Sequence, residues 1–72
     1  MIRLFVTTYN RPKEVRDCLD SILYQIDKYQ LGPEEIDVTV CDNKSKHETI
    51  KVLMDYTEKF NVIFLFLLSI YQ

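Results

Sequence analysis

Glycine is almost absent from this chain: Gly32 is the single one in 72 residues. A G-x-G-x-x-G fingerprint and a Walker loop each need several glycines for the backbone to approach phosphate closely. Nicotinamide, flavin and P-loop nucleotide chemistry are therefore disfavoured. Cysteine is scarce too. Cys18 and Cys41 are too few for a disulfide scaffold and lack C-x-x-C spacing, so both are expected to be small buried hydrophobes. His47 is the only histidine and has no cysteine or carboxylate pair at ligand spacing, so no metal site is expected. The net charge is −2, from 9 basic and 11 acidic residues spread along the chain without a basic stripe. Nucleic acid is accordingly not an expected partner. The longest apolar run, Val62 to Tyr71, is broken by Ser69. It is strand-length, far short of the ~20 residues of a spanning helix. Met1-Ile2-Arg3 leads directly into a short strand with no secretory h-region, and a cytoplasmic location is expected.

The length allows one domain at most, with marginal stability, because a chain this short buries only about 60% of its unfolded surface. Within it, Arg3 to Ser21 is the organising stretch. An apolar strand, Ile2 to Val6, runs into a polar hinge, Thr7-Thr8-Tyr9-Asn10-Arg11, and Pro12 opens a helix where its missing N–H is harmless. The run of adjacent apolar residues suits a strand covered on both faces. Arg11 is the expected N-cap and Glu14 the third helical residue. Val15, Cys18, Leu19, Ile22, Leu23 and Ile26 recur with the period of one helical face, and the opposite face reads as solvated.

Gly32-Pro33 stops the helix. Ile36 to Cys41 alternates with period two and reads as a second strand, with its second face less covered than that of strand one. Ser45-Lys46-His47-Glu48 has the S-x-x-E form of a capping box. It opens a helix with Thr49, Val52, Leu53, Tyr56 and Phe60 at helical spacing. A third strand follows at Val62 to Leu67. The fold class is thus α/β, strand–helix–strand–helix–strand, with crossovers that imply parallel strands and a Rossmann-like half sheet. The two polar hinges, Thr7 to Arg11 and Asp42 to Ser45, then lie side by side at the carboxyl edge, where open α/β sheets bind ligands.

At these residues the sequence resembles family-2 glycosyltransferases, which have the GT-A fold. T-T-Y-N-R-P with V-R-D-C-L-D-S-I-L is similar to the family's opening. V-T-V-C-D-N-K-S-K-H-E-T, Val38 to Thr49, is similar to its second signature. The two stand in the family's order and separation. The resemblance implies three parallel strands in the order 3-2-1 and a crevice for the nucleotide of a nucleotide-sugar donor, a UDP-sugar first. By position, Thr7, Tyr9 and Arg11 would contact base and ribose, and Asp42 or Asn43 would hydrogen-bond the base. Two positions depart from the pattern: Lys44 stands where glycine is usual and His47 where aspartate is common.

The family's D-x-D motif, which binds manganese or magnesium, and its catalytic base have no counterpart here. No catalytic or metal-binding residue is therefore assigned, a divalent metal is expected only in a full-length member, and the chain alone is expected to transfer no sugar. Residues 1–72 are read as one partial domain, the N-terminal nucleotide-binding portion, truncated after strand three. In the family's sheet a fourth strand flanks strand one. Without it the strand-one edge is expected to promote self-association. The rival readings are a non-enzymatic α/β module that binds itself or a partner, and a receiver-like domain with Asp42 as phosphoacceptor, which would want acidic residues where Thr7-Thr8-Tyr9 stand.

Overall fold

The computed structural model of the chain describes residues 1–65. They form β1 (Ile2–Thr8), α1 (Pro12–Lys28), β2 (Ile36–Asp42), α2 (His47–Met54) and β3 (Asn61–Phe64). The three strands are parallel in one sheet, with β2 central and the order β1-β2-β3. This is the α/β half sheet expected from the pattern of periods. β3 is placed as expected: Val62 to Phe64 are strand and Leu65 is not, while residues 66 and 67 of the expected stretch lie outside the described residues.

Register fixes two faces. Leu4 pairs with Val38, Val6 with Val40 and Thr8 with Asp42, and on the other side of β2 Val40 pairs with Val62 and Asp42 with Phe64. On this face Val38 and Val40 pack with Val15 and Leu19 of α1, Leu53 of α2, and Tyr56 and Phe60 beyond it. Both crossovers lay their helices on this one face, so the core is a single layer between sheet and helices. The other face carries Arg3, Phe5, Thr7, Thr39, Cys41 and Ile63. Phe5 is 65% and Ile63 46% exposed.

Coverage of the strands therefore reverses the expectation. β1 is mostly exposed along its length, whereas β2 is buried or half-buried throughout. The reason is position in the sheet. β2 has a strand on each side and both helices over it, while among the described residues β1 has one neighbour and lies at the margin of the helical layer.

α1 begins at Pro12 with Arg11 as N-cap, and Glu14 in its first turn lies 3.7 Å from Arg11. Val15 and Leu19 are buried, and Ile22, Leu23 and Ile26 pack against the core. Cys18, expected inside, is exposed, because it lies beside the uncovered margin of β1. The polar face of α1 is not merely solvated. Asp20 accepts a 2.5 Å hydrogen bond from the Tyr56 hydroxyl, and Arg16 reaches Asp55 at 2.8 Å while lying 5.8 Å from the Tyr56 ring centre. These contacts join α1 to the end of α2. The capping box is not formed either. α2 starts at His47 after Lys46, with no side-chain cap, and Ser45 is engaged elsewhere. After Met54 the chain continues in turns to the buried Tyr56 and Phe60.

Candidate nucleotide crevice

β1 and β2 end level with one another. Thr8 is in register with Asp42, and the Asn43 N–H donates to the Thr8 carbonyl at 2.9 Å. One residue later the chain leaves the sheet on both sides, and the two hinges face each other. Their link is Asn10. Its side-chain Oδ1 accepts the Lys46 N–H at 2.6 Å, and its backbone N–H donates to Ser45 Oγ at 2.8 Å. The Ser45 N–H in turn donates to Asp42 Oδ2 at 3.1 Å. Asp42, Ser45, Lys46 and Asn10 thus form one continuous network across residues 35 or more apart in sequence.

The backbone of both hinges is bent through the left-handed region: φ is 49° at Asn10 and 59° at Lys44. Asparagine tolerates this region, whereas lysine there costs on the order of 1 kcal/mol relative to glycine. The hinge closes with a reversal at Lys44, and the residue type for that position, glycine, is absent. The chain keeps the geometry because the buried Asp42 and Ser45 hold both ends of the turn.

The five residues singled out from sequence occupy different environments. Thr7, Tyr9, Arg11 and Asn43 are exposed, Tyr9 to 57%. Thr7, Tyr9 and Arg11 line a cleft of about 290 Å³ together with Glu14 and Cys18, and Asn43 is not among its lining residues. Asp42 is fully buried, one carboxylate oxygen committed to Ser45 and the other, Oδ1, without a partner. Thr8 Oγ1, at the register position beside it, is likewise buried without a partner. Of the two candidates after β2, Asn43 presents its side chain outward and Asp42 acts from beneath, by shaping the hinge. A second hollow of about 420 Å³ lies between the helix starts, lined by Asn10, Pro12 and Lys46 to Thr49.

Asn10 is the member that sequence reasoning did not single out. Its local context, N-R-P, reads as a turn before a helix, and its partners lie on the other hinge. The only local signal was its residue type, since asparagine both enters the left-handed region and carries a donor and an acceptor.

No D-x-D occurs in the sequence, and among the described residues no three His, Cys, Asp or Glu side chains gather. No step of sugar transfer is therefore assigned through a metal here. Among the described residues no helix is long and apolar enough to cross a membrane.

Compared with protein families, the chain matches the model of Glycosyl transferase family 2 over residues 4–67. Comparison with curated proteins and with solved structures gave no match.

Proposed function

From the premise that this chain belongs to glycosyl transferase family 2, we infer that its crevice takes the nucleotide portion of a nucleotide-sugar donor, with uridine diphosphate as the first candidate. The observation that carries the reading is the pair of level hinges at the carboxyl edge of β1 and β2, cross-tied through Asn10. That edge is where open α/β sheets take their ligands. The Tyr9 ring and the Arg11 guanidinium line one cleft, and the Asn43 amide is exposed on the other hinge.

Each group has chemistry suited to this ligand. Tyr9 offers an exposed ring on which a base stacks. Asn43 carries an acceptor and a donor on one amide, matching the ring N–H and adjacent carbonyl of uracil. Arg11 supplies positive charge with bidentate geometry for a diphosphate, and Thr7 a hydroxyl for ribose. Asp42 works indirectly: it holds the Ser45 N–H and so the shape of the loop that bears Asn43. In a full-length enzyme this portion would position the donor while other residues carry out transfer to an acceptor hydroxyl.

Calorimetric titration of the chain with uridine diphosphate tests the reading. Tyr9→Ala and Asn43→Ala should each weaken binding by about 1–3 kcal/mol while leaving the fold intact. Asp42→Ala should lose binding and stability together. Equal affinity in the wild type and both surface variants would remove Tyr9 and Asn43 from the site. A folded chain with no affinity for any nucleoside diphosphate would refute the function and favour a module without a nucleotide ligand.

A further inference from the structure

Two asparagines stand at the crevice, and the fold treats them differently. Asn10 has its amide orientation fixed, because its Oδ1 accepts the Lys46 N–H at 2.6 Å. Asn43 is held by its backbone alone, through the N–H that it donates to the Thr8 carbonyl at 2.9 Å. Its side chain is exposed, and among the described residues its amide bonds to nothing. A half-turn about the Asn43 Cβ–Cγ bond exchanges Oδ1 and Nδ2, and no internal bond opposes it. Tyr9 and Asn43 are the residues one step beyond the last register pair, Thr8 and Asp42. Neighbouring strands lie about 5 Å apart, so an exposed ring and an unfixed amide leave the sheet side by side.

We propose, resting on the nucleotide reading of this crevice, that Asn43 makes the site indifferent between uracil and cytosine, so that uridine and cytidine diphosphates bind alike. The two pyrimidines share ring size, the O2 carbonyl and the ribose diphosphate. They differ at positions 3 and 4. Uracil presents an N–H at 3 and a carbonyl at 4, whereas cytosine presents a lone pair at 3 and an amino group at 4. Donor and acceptor have changed places. With uracil, Asn43 Oδ1 accepts the N3–H and Nδ2 donates to O4. With cytosine, the flipped amide has Nδ2 donating to N3 and Oδ1 accepting from the N4 amino group. Both arrangements make two bonds and leave no group of the pair unmatched. An amide clamped as that of Asn10 is would favour one base, since the other would meet it donor to donor and acceptor to acceptor. The neighbouring groups do not restore a preference. Every base has a face for Tyr9 to stack on, and Arg11 and Thr7 address the diphosphate and ribose that both ligands share.

Calorimetric titration of the chain with uridine diphosphate and with cytidine diphosphate, at one salt concentration, tests the proposal. The expected result is two affinities within about 5-fold of one another. A site matched to one base alone would leave a polar group unpaired with the other, a preference of about 5- to 150-fold. Asn43→Ala keeps the backbone N–H to Thr8 and should weaken both ligands by the same factor, about 5- to 150-fold for the two bonds lost. In nuclear magnetic resonance spectra the side-chain amide protons of Asn43 should shift with either ligand. A preference above about 5-fold for either base would overturn the proposal while leaving nucleotide binding in place. So would an Asn43→Ala variant that weakens only one ligand, or neither. A folded chain that binds neither diphosphate would overturn the nucleotide reading and this proposal with it. The wild-type comparison decides the question even where the variant does not fold.

Discussion

Asn10 offers the sharpest test of how the crevice is held. Two energies meet at this residue: a side-chain bond to the Lys46 N–H and a left-handed backbone at φ 49°. Replacing it with alanine removes the first and strains the second. The lost hydrogen bond is worth about 0.5–1.5 kcal/mol net. Alanine in the left-handed region costs about 1 kcal/mol more than asparagine, which enters it readily. The sum is about 1.5–2.5 kcal/mol, a substantial share of the ~4–10 kcal/mol expected for a domain of this size. Glycine separates the two contributions, since Asn10→Gly loses the same bond but relieves the backbone. Its expected cost is at least ~1 kcal/mol smaller than that of Asn10→Ala. Urea unfolding followed by helical circular dichroism gives both values from the midpoints at constant slope. If the alanine and glycine variants are destabilised equally, backbone strain contributes nothing at Asn10 and the argument fails. If Asn10→Ala unfolds at the wild-type midpoint, the bridge between the hinges is not a stabilising element.

Two further predictions concern other sites. The mirror case, Lys44→Gly, restores the residue type that φ 59° favours and should stabilise the chain by roughly 0.5–1 kcal/mol, read as a higher urea midpoint; a lower midpoint would show that contacts of the lysine side chain outweigh its strain. Tyr56 is raised from 10.0 to about 12, first by burial and then by the hydrogen bond that it donates to Asp20. A raised folded value means stability fully present below pH 10 and lost as pH climbs from 10 toward 12, at most ~2–3 kcal/mol in all. Tyr56→Phe should be less stable at neutral pH but should lack this alkaline loss, and a wild-type stability flat between pH 10 and 12 would refute the assignment.

Element types and order were legible because period carries them. Val15, Leu19, Ile22 and Ile26 could form a stripe only on a helix, and Ile36, Val38 and Val40 a face only on a strand. Burial was less legible, for a physical reason. An apolar run such as Ile2 to Val6 states that a strand tolerates cover, and whether cover exists depends on neighbours elsewhere in the chain. Hence the sequence pattern alone makes β1 look enclosed and β2 half open, whereas β1 is mostly exposed and β2 buried or half-buried. Cys18 failed in the same way: its spacing belongs to the buried stripe, but the stripe is wider than the strip of sheet beneath it.

The hinge shows a second limit, which bears on function. Ser45-Lys46-His47-Glu48 satisfies every local condition of a capping box, yet Ser45 Oγ accepts a bond from Asn10 instead. A helix cap is a local competitor for that hydroxyl, and here a long-range donor wins, because Asp42 draws the Ser45 N–H inward and the reversal at Lys44 turns the side chain toward β1. On the proposed function, the second signature would serve the crevice through its buried members as much as through its exposed ones. Asp42 and Ser45 set where Asn43 stands, and Asn10 transmits that setting to the loop bearing Tyr9 and Arg11. A substitution at any of these three buried or bridging positions should alter both walls of the crevice together, whereas changes at Tyr9 or Asn43 should act one wall at a time.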